Sequence, residues 1–531
     1  MKTKTKTLAQ INDKKTKTLA QINDNTYDVK IDKPIYIGSL ITILIVCGYC
    51  IIFPDSALII VDIARSFVIT KFDWFFLTIG IMVLAVSIFL GVSSYGKIKL
   101  SDKDEKPEFS YWSWLFMIYF SAIGSSTLMW AICEPLAYLT KPPFGYESFS
   151  AQAYQIAIPY GLFHWGPIAW SFFAFSGLVV SYCFYKRKKK RLQLSSVLSD
   201  VIGEKQANGP LGKLIDIASV FFTFCTFGPS LGFGVPVLTK LISNVTGLPA
   251  NDFLQISVLV IWTAIFSISV YKGLNKGIKV LSDINMWLLG ALLLLVFLVS
   301  DPLYILKSIV EQVGTFAAYF IPMATYTDTM SGGTFAQDWT VFYWSWWMVE
   351  IPFMSIFIAR VSKGRTIREL LFGIIGAGSI GTMSVFWVLG NFSLKLQSSG
   401  ALDLAAIYNK QGPTEAVVQT INALPFSNII SVVMILLYFV FLATCIDSGS
   451  FTMGCIASKD ILDGQQPSKI NRTTWAITIA LIGIAVLRLG GGLQAIQTIV
   501  IVVGLPSAFL LILLAWSLFK WLKEDYPKIS S

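Results

Sequence analysis

One histidine, His164, stands among 531 residues, and charged side chains make up only 14% of the chain. A hydrolytic triad or a structural metal site needs partners beyond a lone imidazole, so neither can be assembled around His164. The expectation is a non-enzyme with no cofactor and no metal beyond a transported or coupling ion. Scarce charge alongside 55% hydrophobic residues and a mean hydropathy of +0.66 excludes an ordinary soluble domain and points to a polytopic membrane protein. An apolar leader is lacking too. The chain opens MKTKTKTLAQINDKK, so no signal peptide is expected and the N-terminus is expected in the cytoplasm. The net charge of +10 does not imply nucleic acid, because the cations gather in short loops between apolar segments, where they set topology. Of seven cysteines, Cys47 and Cys50 have CxxC spacing but sit in an apolar run without His or acid, which favours packing over metal binding.

The decapeptide KTKTLAQIND occurs at 4–13 and again at 15–24, and residues 1–33 read as a disordered cytoplasmic tail. Residues 34–521 form the transmembrane domain, with a short cytoplasmic tail at 522–531. Apolar segments at about 34–53, 74–95, 112–135, 153–185, 212–243, 253–271, 279–300, 339–361, 368–391, 427–456, 474–490 and 493–521 predict about twelve helical spans. An amphipathic stretch at 303–325 is expected at the surface. With the N-terminus inside, the even-numbered connections carry most Lys and Arg, including Lys186 to Arg191 and Arg360 to Arg368, as cytoplasmic loops should.

Two spans contain helix-breaking sequence. The third holds SAIGSS, Ser121 to Ser126; the eighth holds Ile351-Pro352. They lie five spans apart, and an odd offset inverts corresponding helices, as a five-plus-five inverted repeat of spans 3–7 and 8–12 requires. Interrupted helices at matching positions in two halves point to a midplane transport site. The competing reading is ordinary glycine packing and a proline kink.

Aromatics concentrate at the same two places. In DWTVFYWSWWMVEIPFMSIFIARVSKGRTIREL, from Asp338, helical spacing puts Tyr343, Trp347, Glu350 and Met354 on one stripe. In YGLFHWGPIAWSFF, Trp165, Trp170, Phe172 and Phe173 surround Gly166-Pro167. A quaternary ammonium has no hydrogen-bond donor, so a cage of aromatic faces is its natural receptor. Interfacial anchoring explains any one of these Trp but not two clusters beside interrupted helices. Among in-span ionisable residues, Glu134, Asp283, Glu350 and Asp447, the third shares the aromatic stripe. As a carboxylate, Glu350 favours a cationic ligand; as a titrating group it could couple transport to protons; its bland reading is a protonated Glu bonded to a neighbouring helix.

The segment from Asp338, with its W-x-W-W core and A-R-x-S-x-G-R-T-I-R-E loop, closely resembles the signature of the betaine/choline/carnitine transporter family. EPLAYLTKPPFG (from Glu134), LFHWGPIAW (from Leu162), KGIKVLSDINMW (from Lys276) and ATCIDSGSF (from Ala443) resemble family segments in family order. The resemblance implies twelve helices, a five-plus-five repeat, uptake or exchange of betaine, carnitine or choline, and commonly a homotrimer. By position, Trp165, Trp170 and Trp347 match aromatic-box residues, Trp346 matches their neighbour, and Phe173 stands for a Tyr of the sodium-coupled betaine branch. Local similarity is greatest to the carnitine/gamma-butyrobetaine antiporter branch, where Trp339 matches an outer-site and Met354 a central-site position. That branch has Arg at Asn285 and a substrate-site Tyr at Ala137, so cation-independent exchange is weakened. Thr444 matches a sodium-ligating Thr, but its companion Ser is Cys445, a soft and poor sodium ligand. Ser126, Asn285, Thr444 and Cys445 are therefore the coupling-site candidates, with Na+, H+ and exchange all open. Glu350 replaces a family aromatic and would oppose a substrate carboxylate unless protonated. The brief tail after Trp521 gives no expectation of osmotic gating.

The expected protein is an all-α, multi-pass protein of the cytoplasmic membrane with both termini inside, moving a quaternary ammonium solute by alternating access. A membrane receptor for the same ligands, without turnover, is the second reading.

Overall fold

A computed structural model describes residues 29–102, 104–123, 126–189, 191–272, 277–330, 332–461, 465–489 and 493–527. The tandem decapeptides, most of the expected N-terminal tail, the last four residues and residues 124–125 of the third-span interruption lie outside the described residues.

The described chain is built from helices: α1 Lys33–Ile52, α2 Pro54–Val92, α3 Tyr111–Ala122, α4 Ser126–Thr140, α5 Ala151–His164, α6 Pro167–Tyr185, α7 Pro210–Cys225, α8 Phe227–Thr246, α9 Asp252–Lys272, α10 Gly277–Val299, α11 Pro302–Thr325, α12 Val341–Val349, α13 Ile351–Val361, α14 Ile367–Val385, α15 Ser427–Ile456, α16 Lys469–Arg488 and α17 Leu493–Asp525. Nine spans among them are long and apolar enough to cross a membrane, and eleven when two bent pairs each count as one. The other predicted span, at 253–271, is the apolar helix α9, whose qualifying part, Asp252–Ile268, is shorter. Every predicted apolar segment is thus helical. The stretch between the first two predicted spans is the first half of α2, which runs 39 residues from Pro54. Pro at the first helical position is pre-organised for that start, and nothing before Gly80 breaks it. The amphipathic stretch forms α11, capped by Asp301, whose side chain accepts from the Tyr304 amide at 3.1 Å.

The two predicted interruptions are real bends. Helices α3 and α4 meet at 65°, and the helix through Val349 meets α13 at 49°. Span 4 is broken as well, between α5 and α6, where Trp165 and Gly166 leave the helix and Pro167 restarts it. A Cβ at Gly166 would run into the Leu162 carbonyl oxygen, so the turn requires glycine.

Packing follows the expected repeat. Spans 5 and 10 pack together (α8 on α15), as do spans 6 and 11 (α9 on α16). The contact of α8 with α9 is matched by α15 with α16, that of α8 with α16 by α9 with α15, and that of α3 with α10 by α12 with α17. Each pairing recurs five spans on, and the odd offset inverts it.

The cation-rich connections meet on one face. Lys99 pairs with Thr366 in a β-bridge, Arg365 donates to the Phe109 carbonyl at 2.7 Å, and Arg191 reaches Asp460 at 3.1 Å. Residues 29–32 join this face although the sequence placed them in the tail: Val29 bridges Pro467, Ile31 bridges Ser458, and the Asp32 amide donates to Ala457 at 2.8 Å. At the opposite end, Lys395 pairs with Asp301 at 2.6 Å and Lys240 with Glu415 at 2.7 Å.

Candidate functional site

Three broken spans converge on one cavity. Its walls are Ala122 and Ile123 at the end of α3, Ser126 at the start of α4, Trp165 at the break in span 4, Ser230 of α8, and Trp346, Trp347 and Glu350 at the break in span 8, and the space between them is narrow. Helix ends free backbone and change side-chain direction, so residues three or four apart near a break can all face one space.

The three indoles make a box. The Trp165 ring stands edge-on to Trp346 (centroids 5.8 Å, 77°) and to Trp347 (5.6 Å, 80°). Perpendicular rings of this kind turn π faces in several directions, which is how aromatic side chains surround a cation. Trp170 and Phe173 do not line the cavity. They lie behind Trp347, at 5.7 and 4.9 Å between centroids, and Trp170 stacks on Tyr119 at 5.7 Å and 10°. Met354 is fully buried on α13 and is also outside the lining.

The stripe on span 8 differs from the helical-wheel expectation. Trp339, Tyr343 and Trp346 stack in a ladder, at 6.5 Å and 19° then 6.0 Å and 17°, and the Trp346 Nε1–H donates to Glu350 Oε1 at 2.9 Å. Trp347 turns instead towards Trp170 and Phe173. The bend at Glu350 departs from an ideal 3.6-residue stripe, and a one-turn π segment, Ala336–Thr340, precedes the stripe at the Trp339 end. At the outer end of the ladder Trp339 meets Tyr138 edge-on at 5.0 Å and 89°.

A second carboxylate, Glu134, sits beside the box and accepts three hydrogen bonds. Its Oε1 accepts from Trp165 Nε1 at 2.7 Å and from the Tyr343 hydroxyl, and its Oε2 accepts from the Tyr138 hydroxyl at 2.8 Å. Both ring nitrogens of His164 have hydroxyl partners, Nδ1 the Tyr138 hydroxyl at 2.9 Å and Nε2 the Thr340 hydroxyl at 3.0 Å. His164 is accordingly a fully hydrogen-bonded buried imidazole. Glu134, Tyr138 and Ser230 were absent from the expected binding set. The in-span acid was visible in the sequence, but its three partners come from spans 3, 4 and 8 and have no common spacing.

The coupling-site candidates divide. Asn285 Nδ2 donates to Thr444 Oγ1 at 3.1 Å, Thr444 Oγ1 donates to the Val440 carbonyl at 2.8 Å, and Cys445 donates to the Phe120 carbonyl at 3.4 Å. Ser126 lies apart from this group in the cavity wall. As arranged here, these side chains offer a sodium ion little hard-oxygen coordination. Thr444 is already engaged, Cys445 presents sulfur, and the free hard oxygen is Asn285 Oδ1. No cluster of three or more His, Cys, Asp or Glu able to hold a metal occurs among the described residues. Asp447 is paired with Arg472 at 3.1 Å, both buried.

A family model described as betaine/carnitine/choline family transporter matches residues 34–527. Among solved structures, the chain is similar to one described as the substrate-bound outward-open state of a Na+-coupled sialic acid symporter. The two share 14% sequence identity over 83% of this chain and 86% of that one, with a TM-score of 0.43.

Proposed function

The chain belongs to the betaine/carnitine/choline transporter family, and we propose that its box of three indoles is where the solute's ammonium group is held during transport. The protein is a multi-pass membrane protein and a secondary active transporter of quaternary ammonium compounds, a conclusion that leaves the receptor reading unfavoured. Trp165, Trp346 and Trp347 supply the π faces, Trp170 and Phe173 brace Trp347 from behind, and Trp339 offers an outer stopping place at the far end of the stacked ladder. The observation that carries this assignment is the convergence of three broken spans on one aromatic cavity. Each desolvated indole face contributes about 2 kcal/mol to holding a cation. Relative rocking of the two inverted repeats would expose the cavity to each side in turn.

Both termini belong on the cytoplasmic side in this reading, because the cation-rich connections and the described N-terminal segment share one face. The assembly is a homotrimer, as the family resemblance implies. Coupling is to a gradient of sodium or protons, or to a counter-solute.

Uptake of radiolabelled choline, glycine betaine and carnitine into proteoliposomes, with sodium and pH gradients imposed separately, tests the whole reading. Transport of at least one of them, with counterflow, is expected. Saturable binding without counterflow would move the protein to the receptor class, and neither transport nor binding would remove the substrate class.

A further inference from the structure

The two carboxylates beside the indole box are satisfied very differently. Glu134 accepts from three donors, with both oxygens engaged. Glu350 takes a single hydrogen bond, from Trp346 Nε1 to Oε1; its other oxygen takes no donor among the described residues and is not sealed away as an orphaned atom. Glu350 retains 6% of its surface and lines the cavity. A buried carboxylate this poorly bonded calls for a cation or a donor from outside the protein. Among the described residues no Lys, Arg or His lines the cavity, and the polar side chains there are Glu350 and the hydroxyls of Ser126 and Ser230.

We propose that Glu350 makes this cavity selective for a quaternary ammonium alcohol of net positive charge, of the choline type, over zwitterionic ammonium carboxylates. The inference rests on the assignment of the indole box as the solute site. A trimethylammonium group gives no hydrogen bond, so it lies against the indole faces and leaves the open oxygen of Glu350 for the rest of the molecule. A hydroxyl on a short arm donates to that oxygen. A carboxylate on the same arm brings a second negative charge into a low-dielectric space, where the repulsion is little screened. Among the described residues it finds two hydroxyl donors there and no cation. Discrimination of this kind comes as much from what opposes the wrong solute as from what attracts the right one.

The test is equilibrium binding to the purified full-length protein, followed by tryptophan fluorescence, with choline, glycine betaine and tetramethylammonium as probes. The wild type is expected to bind choline at least about tenfold more tightly than glycine betaine, a difference of about 1.4 kcal/mol. Glu350→Gln should bring the two within about threefold, chiefly by strengthening glycine betaine, while Glu350→Asp should keep the preference. Equal or tighter binding of glycine betaine by the wild type, or an undiminished choline preference in Glu350→Gln, overturns the inference. Loss of all binding in Glu350→Gln but not in Glu350→Asp supports it, since the charge is then required. Should both variants unfold, the wild-type ratio alone decides. Failure of the wild type to bind any of the three probes would count against the ammonium site itself and not against its selectivity.

Discussion

Trp165 is held by its indole N–H, which donates to Glu134 at 2.7 Å and so fixes which way the ring faces in the cavity. Hydrogen bonds to a buried charge contribute about 1.5–3 kcal/mol each, and unmet donors cost about as much. Glu134→Ala leaves Trp165, Tyr138 and Tyr343 without their acceptor. It should lower the unfolding temperature, at a cost of about 3 kcal/mol or more, and weaken ammonium binding. Glu134→Gln keeps one acceptor oxygen and should fall between the two; thermal unfolding in detergent, with fluorescence titration alongside, ranks them. At the box, Trp347→Ala removes a face worth about 2 kcal/mol and should weaken binding roughly 30-fold, while Trp347→Phe should lose less. The Trp of the box were legible in the sequence because aromatics are rare enough at mid-span to stand out. Glu134 was visible only as an in-span acid, since a carboxylate's role depends on partners that the fold brings from elsewhere.

Span 8 is held to its neighbours at glycines. A Cβ at Gly504 would come 2.5 Å from the Ser345 Cβ, pressing α17 off α12, and one at Gly177 would come 2.5 Å from Ile358, pressing α6 off α13. Close helix approach in a membrane relies on such small residues. Gly504→Val should therefore destabilise the protein by about 1–3 kcal/mol, read as a lower unfolding temperature. The bends at Ser126 and Pro352 could be anticipated from small residues and proline. The third break, at Trp165-Gly166, could not, because HWGP reads equally well as a kink in a continuous helix. Outside the spans, the short helix Pro413–Asn422 is anchored by Glu415. Burial pushes the Glu415 carboxyl up, but Lys240 Nζ at 2.7 Å and the Gln419 amide at 2.8 Å outweigh it, so the group is held below its ordinary value of 4.5. A depressed carboxyl contributes stability that is fully present above that ordinary value and is lost as the pH falls through the lowered one. Unfolding temperature measured against pH should fall on acidification below about 4.5, and Glu415→Gln should lack that component of the fall.

At the scale of the whole molecule, the alternation of cation-rich and cation-poor connections was readable before any coordinates, because short basic loops stay on the cytoplasmic side. The repeat was readable for a related reason: an offset of five spans is odd and must invert. The anchoring of residues 29–32 was not, because a strand-like segment four residues long carries no periodic signal, and its partners, near Ala457 and Pro467, are over 400 positions away. Those contacts sharpen the orientation argument. They put the start of α1 on the face that gathers Lys99, Arg365, Arg191 and Asp460, so a single labelling experiment decides the side for all of them. Lys205 is exposed on that face, whereas Ser399 is exposed at the opposite end, close in sequence to Lys395 and its partner Asp301. Six of the seven native cysteines are buried and Cys50 is half-buried, so background labelling can be measured on the unmodified protein. A membrane-impermeant maleimide should modify Ser399→Cys in intact cells and Lys205→Cys only in inverted vesicles. The reverse pattern would turn the molecule over in the membrane and, with it, the direction in which the indole box first meets its solute.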